Sequence, residues 1–205
     1  IYTGSYRIPV KTLMDSIMDD IILIDKIIGV GEIALSDHRA SHAAFEEFVK
    51  VVSDARVGGM LSGKAGIVNV HMGDGKSELE YLERLIDETE IPLSQVIPTH
   101  INRNSSLFKK GIQYAKKGGF VDFTTSTTEK FLEEGEVKCS KGLKTMIDEG
   151  VNIRNITFTS DGQGSLPVFN EKNEFVGLQI GKCKSLYKEV RDVVIYENIN
   201  IEDAL

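Results

Sequence analysis

The 205-residue chain contains no tryptophan, two cysteines and four prolines. Cys139 and Cys183 lie far apart and form no Cys-x-x-Cys pair. No disulfide framework is therefore expected, and a reducing cytoplasm is the expected compartment. Cys183 stands between Lys182 and Lys184, which would favour its thiolate; the plainer reading is an exposed helical thiol. No apolar run approaches the ~18 residues of a membrane span. Ile21-Ile22-Leu23-Ile24 is followed at once by Asp25-Lys26 and reads as helix core. Positive charge is in deficit, 24 basic against 31 acidic residues, for a formal net charge of −7. That balance argues against a generic nucleic-acid or anionic-membrane binder. What is present, 41% hydrophobic and 27% charged residues, is ordinary for a globular chain with one substantial core.

The order of patterns predicts an α/β fold. Residues 1–6 read as a strand with Tyr6 near its end, closed by Pro9. Leu13, Ile17, Ile21, Ile24 and Ile28 recur by three or four and predict a helix with one apolar stripe. A strand follows over 28–36, with Glu32 in its middle, ending at Asp37-His38-Arg39. Ser41 is the expected N-cap of a helix carrying Phe45, Phe48, Val49 and Val52, broken at Gly58-Gly59 and Gly63. Strands are predicted at 67–71, 95–100, 120–124 and 156–161, with helices at 77–87, 105–117 and 136–149 between them. Such alternation marks a parallel sheet. The last strand, Ile156 to Asp161, reads as buried and runs into the glycine-rich loop Gly162-Gln163-Gly164-Ser165. Residues 168–176 predict a short hairpin around a polar turn, and 180–195 a long helix. The opening reads as a strand already in progress and the end as a helix just starting, so a piece of a longer protein is expected.

In a parallel α/β array all strand C-termini lie on one face. His71, His100 and Asp161 would converge there, with Glu32 one layer lower. Taken singly, each has a plain alternative. A strand-end histidine can be a hydrogen-bonded structural residue, and Asp161 can cap its loop. Glu32 can pair with an arginine. A carboxylate inside a strand nevertheless needs a cation or strong donors, because burying it unpaired costs several kcal/mol. Together, two imidazoles and carboxylates suit zinc or a similar divalent ion with a position left open for water.

At these residues the chain resembles the amidohydrolase superfamily, and within it the isoaspartyl (β-aspartyl) dipeptidases. The resemblance is carried by Thr3-Gly4-Ser5-Tyr6, Ser36-Asp37-His38-Arg39, Ala55-Arg56-Val57-Gly58-Gly59, His71-Met72-Gly73-Asp74, Pro98-Thr99-His100-Ile101-Asn102-Arg103-Asn104 and Ser160-Asp161-Gly162-Gln163-Gly164-Ser165. It implies a (β/α)8 TIM barrel of which strands 3 to 8 are present and strands 1 and 2 missing. Residues 1–205 would then be a partial catalytic barrel, without the N-terminal part and the small β domain of the parent. It implies two divalent metal ions, usually zinc, and a homo-oligomer. The His-x-His pair that the family carries on strand 1 is absent, as is the acid after it that holds the substrate amine. Where the family usually has a carboxylated lysine on strand 4, this chain has Glu32, which supplies the same charge and two oxygens.

The implied reaction is hydrolysis of the β-aspartyl bond of a small dipeptide by a metal-activated hydroxide. Glu32, His71, His100 and Asp161 would be metal ligands. Asp161 would also move the proton, and Tyr6 would donate to the oxyanion; otherwise Tyr6 is a barrel-edge aromatic. Arg39 and Arg103 would grip substrate carboxylates, with a hydrogen bond from Ser165, unless they are solvated surface charges. The competing readings are an amidohydrolase acting on cyclic amides or N-acyl amino acids, and a non-catalytic fragment.

Overall fold

The computed structural model describes residues 1–172 and 174–205. Four short apolar segments form one parallel sheet: β1 (Tyr2–Thr3), β2 (Gly29–Leu35), β3 (Ile67–Met72) and β4 (Val96–Thr99), in that spatial order. Parallel neighbours need crossovers, supplied by α1 (Ile17–Leu23), α2 (Phe45–Ser62) and α3 (Glu80–Glu88). α4 (Ser105–Lys116) leads to β5 (Val121–Thr124); α5 (Glu129–Glu133) and α6 (Cys139–Asp148) lead on to β6 (Ile156–Thr159). β5 and β6 pair in parallel as a separate two-stranded sheet. The two sheets are joined at the β4 end, where the Ile101 N–H donates to the Asp122 carbonyl at 3.1 Å. β7 (Ser165–Phe169) and β8 (Phe175–Ile180) form an antiparallel hairpin, followed by α7 (Lys184–Ile195) and α8 (Ile201–Ala204). Asn173, in the turn predicted for that hairpin, lies outside the described residues.

The core lies between the strands and the helices that cross over them. Phe48, Val52, Val68, Val70, Ile33, Leu82, Leu107 and Phe123 are all within 1% of full burial. Each such side chain contributes about 1.5–3 kcal/mol. No helix among the described residues is long and apolar enough to cross a membrane.

The α/β class and the strand–helix alternation agree with the sequence reading, but the barrel is not closed. β1 and β6 each have one unpaired side among the described residues. This changes β6: predicted as buried, it alternates half-buried and exposed residues, because no further sheet covers it. The first helix is shorter than its stripe. Ile17 and Ile21 are buried, whereas Leu13 is 75% exposed and lies before the N-cap, Ser16. Asp20 is the cause: its carboxylate accepts the Leu13 and Met14 N–H groups, folding that stretch into a loop. Ser41 does not cap α2. Its hydroxyl accepts the Ile8 N–H at 3.0 Å, and Ala44 occupies the N-cap, with Glu47 reaching back to its N–H. Gly58 and Gly59 do not end α2 either. A Cβ at Gly59 would meet the Gly66 backbone at 2.6 Å, so these glycines let the helix pass close to its neighbours, and Gly63 ends it at φ +69°.

Candidate metal centre and its surroundings

The irregularity of β2 builds the site. Val30 pairs with Val68 but Ile33 pairs with Val70, so one extra residue is accommodated at Gly31-Glu32. A β-bulge of this kind re-aims a side chain out of the strand's alternation. The Glu32 carboxylate, with 31% side-chain exposure, is thereby delivered to the two imidazoles of the neighbouring strands. Its Oε2 lies 3.4 Å from His71 Nδ1, and its Oε1 lies 3.6 Å from His100 Nε2. The rings are T-shaped to one another with centroids 4.4 Å apart. One ligand atom from each of Glu32, His71 and His100 can be chosen so that all three lie within 4.8 Å of one another.

The electrostatics fit a cation. Burial works to raise the Glu32 carboxyl, but the two facing imidazoles, His100 and His71, outweigh it and hold the group well below the usual carboxylate range. Burial lowers the His100 pKa, which keeps the imidazole neutral at neutral pH. The hydroxyl of Thr124 bonds His100 Nδ1, so with the proton there Nε2 is left as the free donor atom. One carboxylate with an oxygen toward each of two imidazole nitrogens is a donor set that zinc or a similar divalent ion accepts.

Tyr6 stands directly over this group. Its Oη is 3.0 Å from His71 Nδ1, and Arg39 lies over its ring at 5.3 Å. Burial, then the Glu32 and Asp161 charges, push its phenol up to about 12, against a smaller opposite pull from Arg39. The hydroxyl is therefore a proton donor at neutral pH. Asp161, two residues past β6 at φ +45°, is exposed. It is near enough to act on Tyr6 but is not one of the three clustered donors. Its carboxylate rests against Gly164, whose N–H donates to the Asp161 carbonyl at 2.9 Å. Ser165 opens β7, exposed, in register with Ile180. Arg39 is held by Asp37. Arg103 is the more telling of the two arginines. Its Nε is buried without a hydrogen-bond partner among the described residues, and its nearest acidic contact is Asp74 at 4.0 Å. His38 has a 90% exposed side chain, and His42 is exposed.

Three residues around the site were not anticipated. Asp37 carries Arg39 and touches His71. Asn102 clamps β4 to β5: its Nδ2 donates to the Thr124 and Val137 carbonyls and its Oδ1 accepts the Thr124 N–H. Asp122 is 2% exposed and accepts from the hydroxyls of Thr99 (2.5 Å), Thr157 (2.7 Å) and Thr159 (2.7 Å), tying three strands together. The spacing Asp37-x-Arg39 was the available signal for the first, since an aspartate accepts readily from the backbone N–H two residues on.

Burial raises Asp122 from the ordinary 3.8 to about 6, against its threonine donors. As pH rises from about 4 to 6 the unfolded chain releases this proton before the folded one, so the stabilisation present at low pH is lost. Two units correspond to on the order of 3 kcal/mol. The metal-free protein should be less stable at pH 7.5 than at pH 4.5 by about 2 kcal/mol from this group, the remainder being already lost by pH 4.5, and Asp122→Asn should shrink the difference. Denaturant midpoints at the two pH values check it; an unchanged difference would refute it.

No protein-family model matches the sequence. A β-aspartyl dipeptidase from the thermophilic, keratin-degrading Fervidobacterium islandicum AW-1, in complex with a β-Asp-Leu dipeptide, is 45% identical, with a TM-score of 0.89. The match covers 100% of this chain and 53% of that one. Another β-aspartyl dipeptidase structure from the same organism is 42% identical, with a TM-score of 0.85, and covers 100% of this chain and 50% of that one. The phosphotriesterase homology protein of Escherichia coli, solved with phosphate in its active site, is 19% identical over 77% of this chain and 56% of its own. Its TM-score of 0.55 supports the fold alone. The chain spans about half the length of the dipeptidases it matches. Over its whole length the chain is similar to β-aspartyl dipeptidases, and it shares an α/β fold with the phosphotriesterase homology protein.

Proposed function

We propose that the full protein to which this chain belongs hydrolyses the β-aspartyl bond of small dipeptides. The observation that carries the proposal is the cradle in which Glu32 presents one oxygen to each of His71 and His100, in a chain 45% identical to a dipeptidase crystallised with β-Asp-Leu. Glu32, His71, His100 and Asp161 would hold two divalent ions, with zinc favoured by the nitrogen and oxygen donors. Such ions lower the pKa of a water toward neutrality and polarise the scissile carbonyl.

The chain's own residues supply the rest. Asp161 would accept the proton of the attacking water and return it to the leaving amine. Tyr6 Oη, protonated at neutral pH, would donate to the oxyanion. Arg103 would take one substrate carboxylate and Arg39 the other, with Ser165 adding a hydrogen bond. An acidic overall charge and a dipeptide-sized substrate leave no role for nucleic acid or membrane in this reading. A homo-oligomer in the cytoplasm completes it.

The test is metal content and β-Asp-Leu turnover of the full-length protein, with bicarbonate supplied or withheld. Two divalent ions per chain and bicarbonate-independent hydrolysis are expected. Bound metal without turnover would move the substrate to another amide. Absence of both would end the proposal.

A further inference from the structure

We infer that Asp37 is a positioning residue that couples the cation cradle to the substrate grip, acting through His71 on one side and Arg39 on the other. The inference rests on the proposed function for what those two residues do. Its own basis is geometric. The Asp37 side chain is 3% exposed and sits at the end of β2. Its Oδ1 accepts the Arg39 backbone N–H at 2.7 Å and Arg39 Nε at 2.9 Å. Its Oδ2 accepts an Arg39 terminal N–H at 2.7 Å and lies 3.1 Å from His71 Nε2.

A neutral imidazole carries one proton, and Asp37 determines where it sits. With the proton on Nε2, His71 donates to Asp37, and the Nδ1 lone pair faces Glu32 and Tyr6. With the proton on Nδ1, two acceptors would meet at 3.1 Å, and the lone pair would face away from the cradle. The Arg39 terminal nitrogen, 3.0 Å from the same Nε2, and the Glu32 oxygen, 3.4 Å from Nδ1, would favour that second tautomer, so Asp37, helped by the Tyr6 hydroxyl 3.0 Å from Nδ1, holds the balance against it. A buried carboxylate paired to a ligating histidine fixes ring and tautomer in this way. The same oxygen fixes the guanidinium, so metal retention and substrate affinity share one anchor. An asparagine would lack the charge, and with one oxygen on His71 and the terminal Arg39 nitrogen it would present an NH2 group to the Arg39 N–H and Nε that Asp37 Oδ1 accepts, so both partners are held more weakly.

The experiment uses the full-length, zinc-loaded protein, comparing wild type with Asp37→Asn and Arg39→Ala. Zinc release to a colorimetric chelator is timed, and kcat and KM for β-Asp-Leu are read on the same samples. Asp37→Asn should release zinc roughly 10–100-fold faster and raise KM. Arg39→Ala should raise KM while keeping wild-type release. Wild-type release from Asp37→Asn would overturn the inference. So would equal loosening in both variants, since Asp37 would then act only through Arg39. In the metal-free wild type, 15N-histidine NMR, with His71→Gln for assignment, should place the His71 proton on Nε2; a proton on Nδ1 overturns the inference, including where Asp37→Asn does not fold. A wild type that holds zinc but leaves β-Asp-Leu intact would end the functional reading alone, because the release rates and the tautomer still decide Asp37.

Discussion

Glu32→Gln is expected to lower both metal content and β-Asp-Leu turnover of the full-length protein steeply. The amide keeps the shape but removes the charge that faces two imidazoles at 3.4 and 3.6 Å. With the ions bound, the glutamine would leave them without their carboxylate partner, and breaking such a charged pair costs about 3–5 kcal/mol. At ~1.4 kcal/mol per decade this is roughly 10²- to 10⁴-fold in whichever quantity depends on the pair. Metal analysis after dialysis and a steady-state assay read it directly. A glutamine variant with full metal and wild-type rate would remove Glu32 from the centre. Because the carboxylate is part of the side chain itself, added bicarbonate should leave the wild-type rate unchanged.

Arg103→Ala should produce a loss of another kind: kcat/KM lowered with metal content intact. Among the described residues Arg103 Nε is buried without a hydrogen-bond partner, and the nearest acidic contact of the guanidinium is Asp74 at 4.0 Å. A buried unpaired donor on a positive group awaits an anion, and hydrogen bonds to charged groups contribute about 1.5–3 kcal/mol each. Two such bonds to a substrate carboxylate would make the loss roughly 10²- to 10⁴-fold. Saturation kinetics on β-Asp-Leu, with metal measured in parallel, separate this from a folding defect. Normal kcat/KM would place Arg103 outside the substrate site.

Much of this architecture was legible because parallel α/β segments announce themselves. Apolar strands of four to seven residues recur between amphipathic helices, and punctuation such as His100 and Asn104 falls at the strand-to-helix turns. What could not be read depended on side-chain bonds over long range. Asp20 captures the backbone of residues 13 and 14, and this shortened a helix whose stripe looked continuous. Paired glycines looked like a helix break because composition does not show a neighbouring backbone at 2.6 Å. Glu32 could be singled out as a carboxylate in an apolar strand. The bulge that turns it toward His71 and His100 follows from register, which one strand alone does not specify. Asp37 and Asn102, though they stand in quoted motifs, and Asp122 were given no role because aspartate and asparagine near strand ends are common, and only their partners set these three apart.

The splitting of the strands into two sheets has a consequence for how the chemistry is mounted. Glu32 and His71 stand on the four-stranded sheet and His100 just past its last strand, so one continuous ladder sets their spacing. Asp161 hangs from the two-stranded sheet, which meets the first through the Ile101–Asp122 backbone bond, the Asn102 clamp, the threonine bonds of Asp122 and the bond from Thr124 to His100. The cradle and the proposed proton carrier thus stand on separate sheets that share one core. A change where the two sheets meet would alter the span between cradle and carrier and, through the Thr124–His100 bond, the setting of His100 itself, so that acid–base reach and cation site are tuned together.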